Sequence, residues 1–313
     1  MVIVSAGDEV LNVVRGFSPG DGGIETCRSA GPEGAAWDFF PEAMKKGGTN
    51  MEDIRYPEAS DFLSNSLRLR TLPVSVNFLK GEGDFPEKTR RPLKTFGKRM
   101  ALCQVVTMAR LYGTAVGVTK EDLVCVPASI AFGMSGAKDP AASLTRLFCE
   151  GNYSRNEEAG RKEASDLFRL NPGEYGALLF SPLSKSVMAP DVVLVYGNPA
   201  QVMRLAQAWS WFEGVRVAGH FGGKVECSEY LIAPFREQAP RMAVPGMGDR
   251  VFSLTQDDEM VFALPGGTLA RFVQGLKEAG SKVGARYPVP FYLNFQPEFP
   301  KNFQALGKEL GIL

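Results

Sequence analysis

Asp191-Val192-Val193-Leu194-Val195-Tyr196-Gly197-Asn198-Pro199-Ala200-Gln201 is the stretch that decides the fold class. Asp191–Tyr196 is a short apolar run of the kind that forms a buried strand. Gly197-Asn198-Pro199 then turns it into a long amphipathic helix, Ala200–Phe212. Asn198 is a good N-cap, Pro199 suits the first helical position, and Gln201 completes a capping box. A strand feeding directly into a helix predicts an α/β protein.

Working outward, Ala177–Phe180 precedes this unit as a second apolar strand, and Val215–Ala218 follows it as a third. Further back, Pro57–Arg70 has the spacing of an amphipathic helix, and Val74–Leu79 alternates like a half-buried strand. A helix is predicted over Phe96–Tyr112. Leu123–Val126 is a short apolar run, Pro127–Phe132 begins a helical turn, and two helices follow over Pro140–Cys149 and Arg155–Phe168. Downstream, helix Ser228–Phe235 leads to strand Met242–Val244. Val251–Leu254 and Met260–Leu264 read as a hairpin, Gly266-Gly267-Thr268 opens a helix to Ala279, and a last helix lies near Phe303–Leu310. Strands interleaved with helices predict a mixed sheet covered by helices, in one globular domain with two possible lobes.

The 313 residues and 44% hydrophobic content suffice for a large core. Lys plus Arg and Asp plus Glu both number 35, so the basic footprint of a nucleic-acid binder is missing. The basic run Lys88, Arg90, Arg91, Lys94, Lys98, Arg99 reads as a solvated loop and helix start, or as an anion recruiter. It lacks the interleaved aromatics of a single-strand binder. No stretch approaches the roughly 18 apolar residues of a membrane span, and Asp8 and Glu9 interrupt anything resembling a signal peptide. Five scattered cysteines do not form a secreted disulfide framework. These features predict a cytoplasmic protein.

Residues 1–50 stand apart, with nine glycines and no periodicity. Lys45-Lys46-Gly47-Gly48 back-translates to a purine-rich stretch resembling a bacterial ribosome-binding sequence, placed just before the Met51 codon. The expectation is that translation starts at Met51 and that 1–50 is a mistranslated upstream segment; a disordered extension is the alternative. Without it, Cys27 leaves the argument and 31 basic residues face 28 acidic ones.

Cys103, Cys125, Cys149 and Cys227 remain. Four thiolates can hold an iron–sulfur cluster or a zinc ion, but the specific signature is a C-x-x-C pair, and none is present. Cys103 and Cys149 also read as core thiols. Cys125 and Cys227 stand at element ends, where a helix N-terminus lowers a thiol pKa. His220, the sole histidine, lies in a glycine-rich loop, as a ligand-facing group or a plain turn residue. Pro245-Gly246-Met247-Gly248-Asp249-Arg250 resembles a turn whose amides cradle an anion, with Arg250 as fork donor. Asp257-Asp258-Glu259 is a polar hairpin tip or a carboxylate metal site. Asn198 begins a helix at a strand end, where ligands bind in open α/β sheets, although capping explains it equally.

Several blocks together are familiar: Leu72-Pro73-Val74-Ser75-Val76-Asn77-Phe78, the Cys103 helix, and Cys125 with the small residues leading to Gly133. Asp191–Leu194 with Asn198-Pro199, Cys227, Gly248-Asp249-Arg250, Asp257-Asp258-Glu259 and Pro265 continue the series. In order and spacing they resemble the uncharacterised ArCR family, a domain of unknown function, from about Pro57 to Leu276. The resemblance implies a cysteine-bearing cytoplasmic protein of mostly anaerobic organisms and carries no activity or catalytic residue. In the family pattern the stretch before Gly-x-Arg often holds a further cysteine, where this chain has Val244-Pro245-Gly246, which weakens a shared metal site. Three functions follow. The first is a redox or cofactor-binding protein, with an iron–sulfur cluster among the cofactors, built on Cys103, Cys125, Cys227 and Cys149. The second is an enzyme or carrier for a small anionic metabolite at Asn198 and Gly246–Arg250. The third is a non-catalytic interaction protein.

Overall fold

Strand β4 (Val192–Gly197) lies near the middle of the sheet and runs into helix α7 (Pro199–Glu213), as the quoted stretch predicts. The capping box forms: Asn198 Oδ1 accepts from Gln201 N at 2.9 Å and Gln201 Oε1 accepts from Asn198 N at 2.7 Å. Gly214 closes the helix at φ 64°. The structure is a computed structural model and describes residues 55–289 and 299–313. The expected upstream segment 1–50, with Cys27, lies outside the described residues.

In chain order the elements are α1 (Tyr56–Leu67), β1 (Val74–Leu79), α2 (Pro92–Phe96), α3 (Leu102–Arg110), β2 (Val116–Thr119), α4 (Val126–Ala131), α5 (Pro140–Glu150) and α6 (Glu157–Asp166). After these come β3 (Ala177–Pro182), β4, α7, a π-helical turn at Ser228–Ile232 and α8 (Ala233–Glu237). The chain continues through β5 (Arg241–Ala243), α9 (Met247–Phe252), β6 (Met260–Pro265), α10 (Leu269–Glu278) and α11 (Lys301–Glu309). The described strands form one sheet in the order β2-β3-β1-β4-β6-β5, with every ladder antiparallel. Because one sheet takes strands from both ends of the described chain, the second lobe allowed by the sequence does not form among these residues.

Period-two alternation assigns the faces. Val74, Val76 and Phe78 of β1, Leu178 and Phe180 of β3, Leu194 and Tyr196 of β4, and Val261 and Ala263 of β6 form the main core with α3, α4 and the π-helical turn. Phe262 points the other way and packs against Phe272 of α10, ring centroids 5.5 Å apart. On that face α7 and α10 touch: a Cβ on Gly275 would stand 2.3 Å from the Ala208 carbonyl, so only glycine permits the approach.

Four expectations are corrected. Strand β1 is buried on both faces rather than half-buried. Its polar members are tied inward: Ser75 Oγ lies 3.0 Å from Ser181 Oγ, and Asn77 Nδ2 donates to the Ala189 carbonyl at 2.6 Å. Val251–Leu254 is no strand. Asp249 Oδ2 accepts from Gly246 N at 3.1 Å and starts α9 there, so β6 pairs with β5 through Met242 and Phe262 instead. Val215–Ala218 makes only one parallel bridge, from Ala218 to Arg241 at the sheet edge. The helix expected over Phe96–Tyr112 is two helices, because Gly97 adopts φ 66° and Met100 bridges Leu123 before α3 begins. Strand β2 had no counterpart among the expected elements. Among the described residues no helix is long and apolar enough to cross a membrane.

Candidate functional site

A cavity of about 970 Å³ opens on the core face between the start of α3, the start of α4, the end of α5, the Lys224–Tyr230 segment and α9. Its walls are mainly aliphatic and aromatic. Val124, Val126, Tyr153, Met247, Val251 and Phe252 stand around it, each more than half exposed. An apolar rim this dense has the composition that ligand-binding regions share.

Three of the four described cysteines line this cavity. Cys103, buried on α3, lies 3.4 Å from the Gly248 carbonyl as a thiol donor. Cys125 is the residue before α4, and Cys227 the residue before the π-helical turn. Cys149 does not join them. It lies between α5 and α6, where Gly160 leaves room for its sulfur, and lines a separate cavity of about 530 Å³. The helix-start argument for low thiol pKa values does not survive burial. Burial, aided by Asp249 and Cys125, pushes Cys103 up to about 12. Burial likewise raises Cys125 against the Ala128 N–H, and raises Cys227 far above a free thiol. All three are thiols, not thiolates, at neutral pH. Among the described residues no three His, Cys, Asp or Glu side chains are arranged to hold a metal ion. Holding an iron–sulfur or zinc centre would require these thiols to lose their protons against that burial.

The carboxyl groups of the cavity are the more unusual feature. Glu226 is 2% exposed. Its Oε1 accepts from the Gly222 and Gly223 N–H groups, while its buried Oε2 has no partner among the described residues. Burial pushes it up to about 7 against those two donors. Asp249, 4% exposed, accepts from Tyr230 Oη at 2.9 Å and from Gly246 N at 3.1 Å. Burial still holds its pKa above the ordinary range. Glu229, on the π-helical turn behind Glu226, is also pushed up to about 7 by burial against the pull of Arg241.

The local backbone explains how these groups are held. Val225 sits at φ 56°, a left-handed conformation that a β-branched residue adopts only under constraint. Ser228 N then bonds the Val225 carbonyl at 2.9 Å, and the following residues form a π-helical turn. Both features concentrate at functional sites. Gly246 must be glycine for space: a Cβ would lie 2.9 Å from the Gly223 carbonyl and 3.0 Å from Glu226 Cγ. Lys224 contributes no free positive charge, because its Nζ pairs with Glu163 and lies over the Phe148 and Tyr153 rings, 4.9 and 5.3 Å from their centroids.

The remaining expected site residues fall elsewhere. Gly246 and Gly248 line the cavity, but Arg250 does not; it donates to the Gln256 carbonyl at 2.7 Å and lies 3.7 Å from Asp257. Arg250 therefore lies outside the cavity that Gly246 and Gly248 line. Asn198 is occupied as a helix cap, with its Nδ2 donating to Tyr287 Oη at 2.9 Å. His220 is exposed and lies outside the cavity lining. Asp257, Asp258 and Glu259 each face a different arginine, Arg250, Arg70 and the buried Arg110, so they form no shared carboxylate site. In the basic run, Arg91 is no solvated residue: it is buried and bonds Asp122 and Thr119. Sequence reasoning missed Glu226, Tyr230 and the role of Asp249. The legible signal was an acid adjacent to Cys227 behind Gly222-Gly223.

A helix-covered antiparallel sheet with a thiol- and carboxyl-bearing apolar cavity on one face defines an α/β protein with one candidate site on that face. The chain belongs to the uncharacterised ArCR family (domain of unknown function 169), which it matches over residues 62–275, a span that contains every cavity residue named above. It is similar to an uncharacterised protein of Methanocaldococcus jannaschii, 24% identical over 205 residues that cover 65% of this chain and 86% of that protein. No solved structure matches the chain.

Proposed function

We propose that the protein binds a bulky, mainly apolar small molecule or organic cofactor in the cavity bordered by Cys103, Cys125 and Cys227. The observation that carries this reading is the cavity itself: about 970 Å³, apolar-walled and apolar-rimmed, with a few buried polar groups at its inner end. Sites for small organic ligands have this composition and a volume of roughly 300–1,000 Å³. The buried thiols act as soft, polarizable wall atoms in this reading. An anionic metabolite held at Asn198 and Arg250 is not favoured, since both residues are already occupied. A cytoplasmic location is part of the same proposal, supported by Cys103, Cys125, Cys149 and Cys227 standing as free thiols. The evenly balanced charge supports a small-molecule partner over a nucleic acid.

The test is titration with the neutral apolar dye Nile red. Gly248 lines the cavity, and a Cβ there would meet only Phe252 at 3.9 Å, so Gly248→Leu fills space without displacing backbone. Saturable one-to-one binding by the native protein, weakened about tenfold or more in Gly248→Leu, is expected. Equal binding by both proteins would overturn the assignment. So would iron with matching acid-labile sulfide on anaerobically purified protein.

A further inference from the structure

The charge at the inner end of the cavity selects among apolar ligands. Two acidic side chains, Glu226 and Asp249, are buried in its lining, and a third, Glu150, pairs with Arg146 on the outside. The one lysine of the lining, Lys224, is matched to Glu163. No unmatched positive side chain therefore faces a ligand, and the two buried acidic groups of the lining oppose an anion entering this space. Asp249 is satisfied on both oxygens by Tyr230 and Gly246. Glu226 is satisfied on one: Oε1 takes the Gly222 and Gly223 amides, and Oε2 is buried with no partner among the described residues. A buried acceptor without a donor is costly, and a charged donor delivered to it gains more than a neutral one.

We propose that the ligand of this cavity has an apolar body and a protonated nitrogen head, a primary amine or amidine, which seats against Glu226. The inference rests on the cavity being a ligand site, as argued above, and adds the ligand's charge and the residue that reads it. The wall carries a precedent for an ammonium group: Lys224 Nζ already lies over Phe148 and Tyr153. The same lining disfavours carboxylate and phosphate ligands. Glu226 then acts as the specificity-determining contact and Asp249 as a neighbour of the same sign.

Calorimetric titration of the full chain with decylamine, 1-decanol and decanoate, kept below their aggregation concentrations, separates the outcomes. The expected order is decylamine first, tighter than decanol by about tenfold or more, with decanoate weakest. Glu226→Gln is expected to bring decylamine down to the decanol level and leave decanol unchanged. Decanoate binding as tightly as decylamine would overturn the inference, as would Glu226→Gln retaining the amine preference. Equal binding of all three probes would sink the head-group assignment and leave the apolar cavity standing. No binding of any probe would refute the cavity reading and this inference with it. Should Glu226→Gln not fold, the order of the three probes on the native protein, and its loss in Gly248→Leu, still decides.

Discussion

Replacing Glu226 by glutamine removes a titrating group from the interior with little change of shape, so its effect on stability is calculable. Burial raises the carboxyl from an ordinary 4.5 to about 7. In the folded protein the neutral acid persists to higher pH than in the unfolded chain. The stability it contributes is complete below about pH 4.5 and is lost as pH rises through about 7. The gap between 4.5 and about 7, at ~1.36 kcal/mol per pH unit, is about 3 kcal/mol. Most of it, about 2–3 kcal/mol, falls between pH 5 and 8.5. Glutamine never ionises, and its Oε1 can still accept from Gly222 and Gly223. Urea unfolding of both proteins at pH 5 and pH 8.5, followed by circular dichroism, gives the comparison. Between those two pH values the difference in unfolding free energy should move by about 2–3 kcal/mol in favour of the variant. Glu229 and Asp249 also titrate, but they are present in both proteins and largely cancel. Parallel pH profiles would refute the reasoning, because they would mean that Glu226 reaches water when ionised.

Breaking the buried pair of Arg110 and Glu259, 3.0 Å apart and nearly solvent-free, by Glu259→Gln should destabilise by about 3–5 kcal/mol in urea unfolding. Tyr230→Phe removes a donor to Asp249 and should cost about 1–3 kcal/mol, read the same way. Gly246→Ala, whose Cβ would press on the Gly223 carbonyl, should lower stability by about 1–3 kcal/mol and weaken Nile red binding together. At pH 8 a thiol with a pKa of about 12 is ionised about one part in ten thousand, so Cys103 should resist iodoacetamide in the native protein and react after denaturation. Peptide mass mapping of the alkylated protein reports it.

Much of the framework was legible from local pattern. Val74–Leu79, Ala177–Phe180, Asp191–Tyr196 and Met260–Leu264 carry their strand character in consecutive residues, and the Asn198–Gln201 capping box fixes a helix start within four residues. Each signal acts over a few residues, so the sequence displays it. The cysteines were equally visible as a set, and the ArCR blocks as an order.

What the sequence could not decide were distances between segments far apart along the chain. Antiparallel order β2-β3-β1-β4-β6-β5 brings Cys103, Cys125 and Cys227 to one cavity and leaves Cys149 outside it. Burial, a tertiary quantity, reverses the pKa argument made from helix starts, because losing water disfavours a thiolate more than the nearby N–H group favours it. The same burial makes Glu226 and Asp249 the distinctive groups of the site, although in the sequence only the place of Glu226 beside Cys227 sets either apart from a surface acid. Val251–Leu254, strand-like by composition, becomes the end of a helix because Asp249 caps Gly246 and β5 already occupies the edge of β6. The sequence by itself determined which elements form and which side chains are available for chemistry. Only the packing of the helices on the sheet determined which of those side chains lose water together, since desolvation depends on neighbours that the chain supplies from more than a hundred residues away.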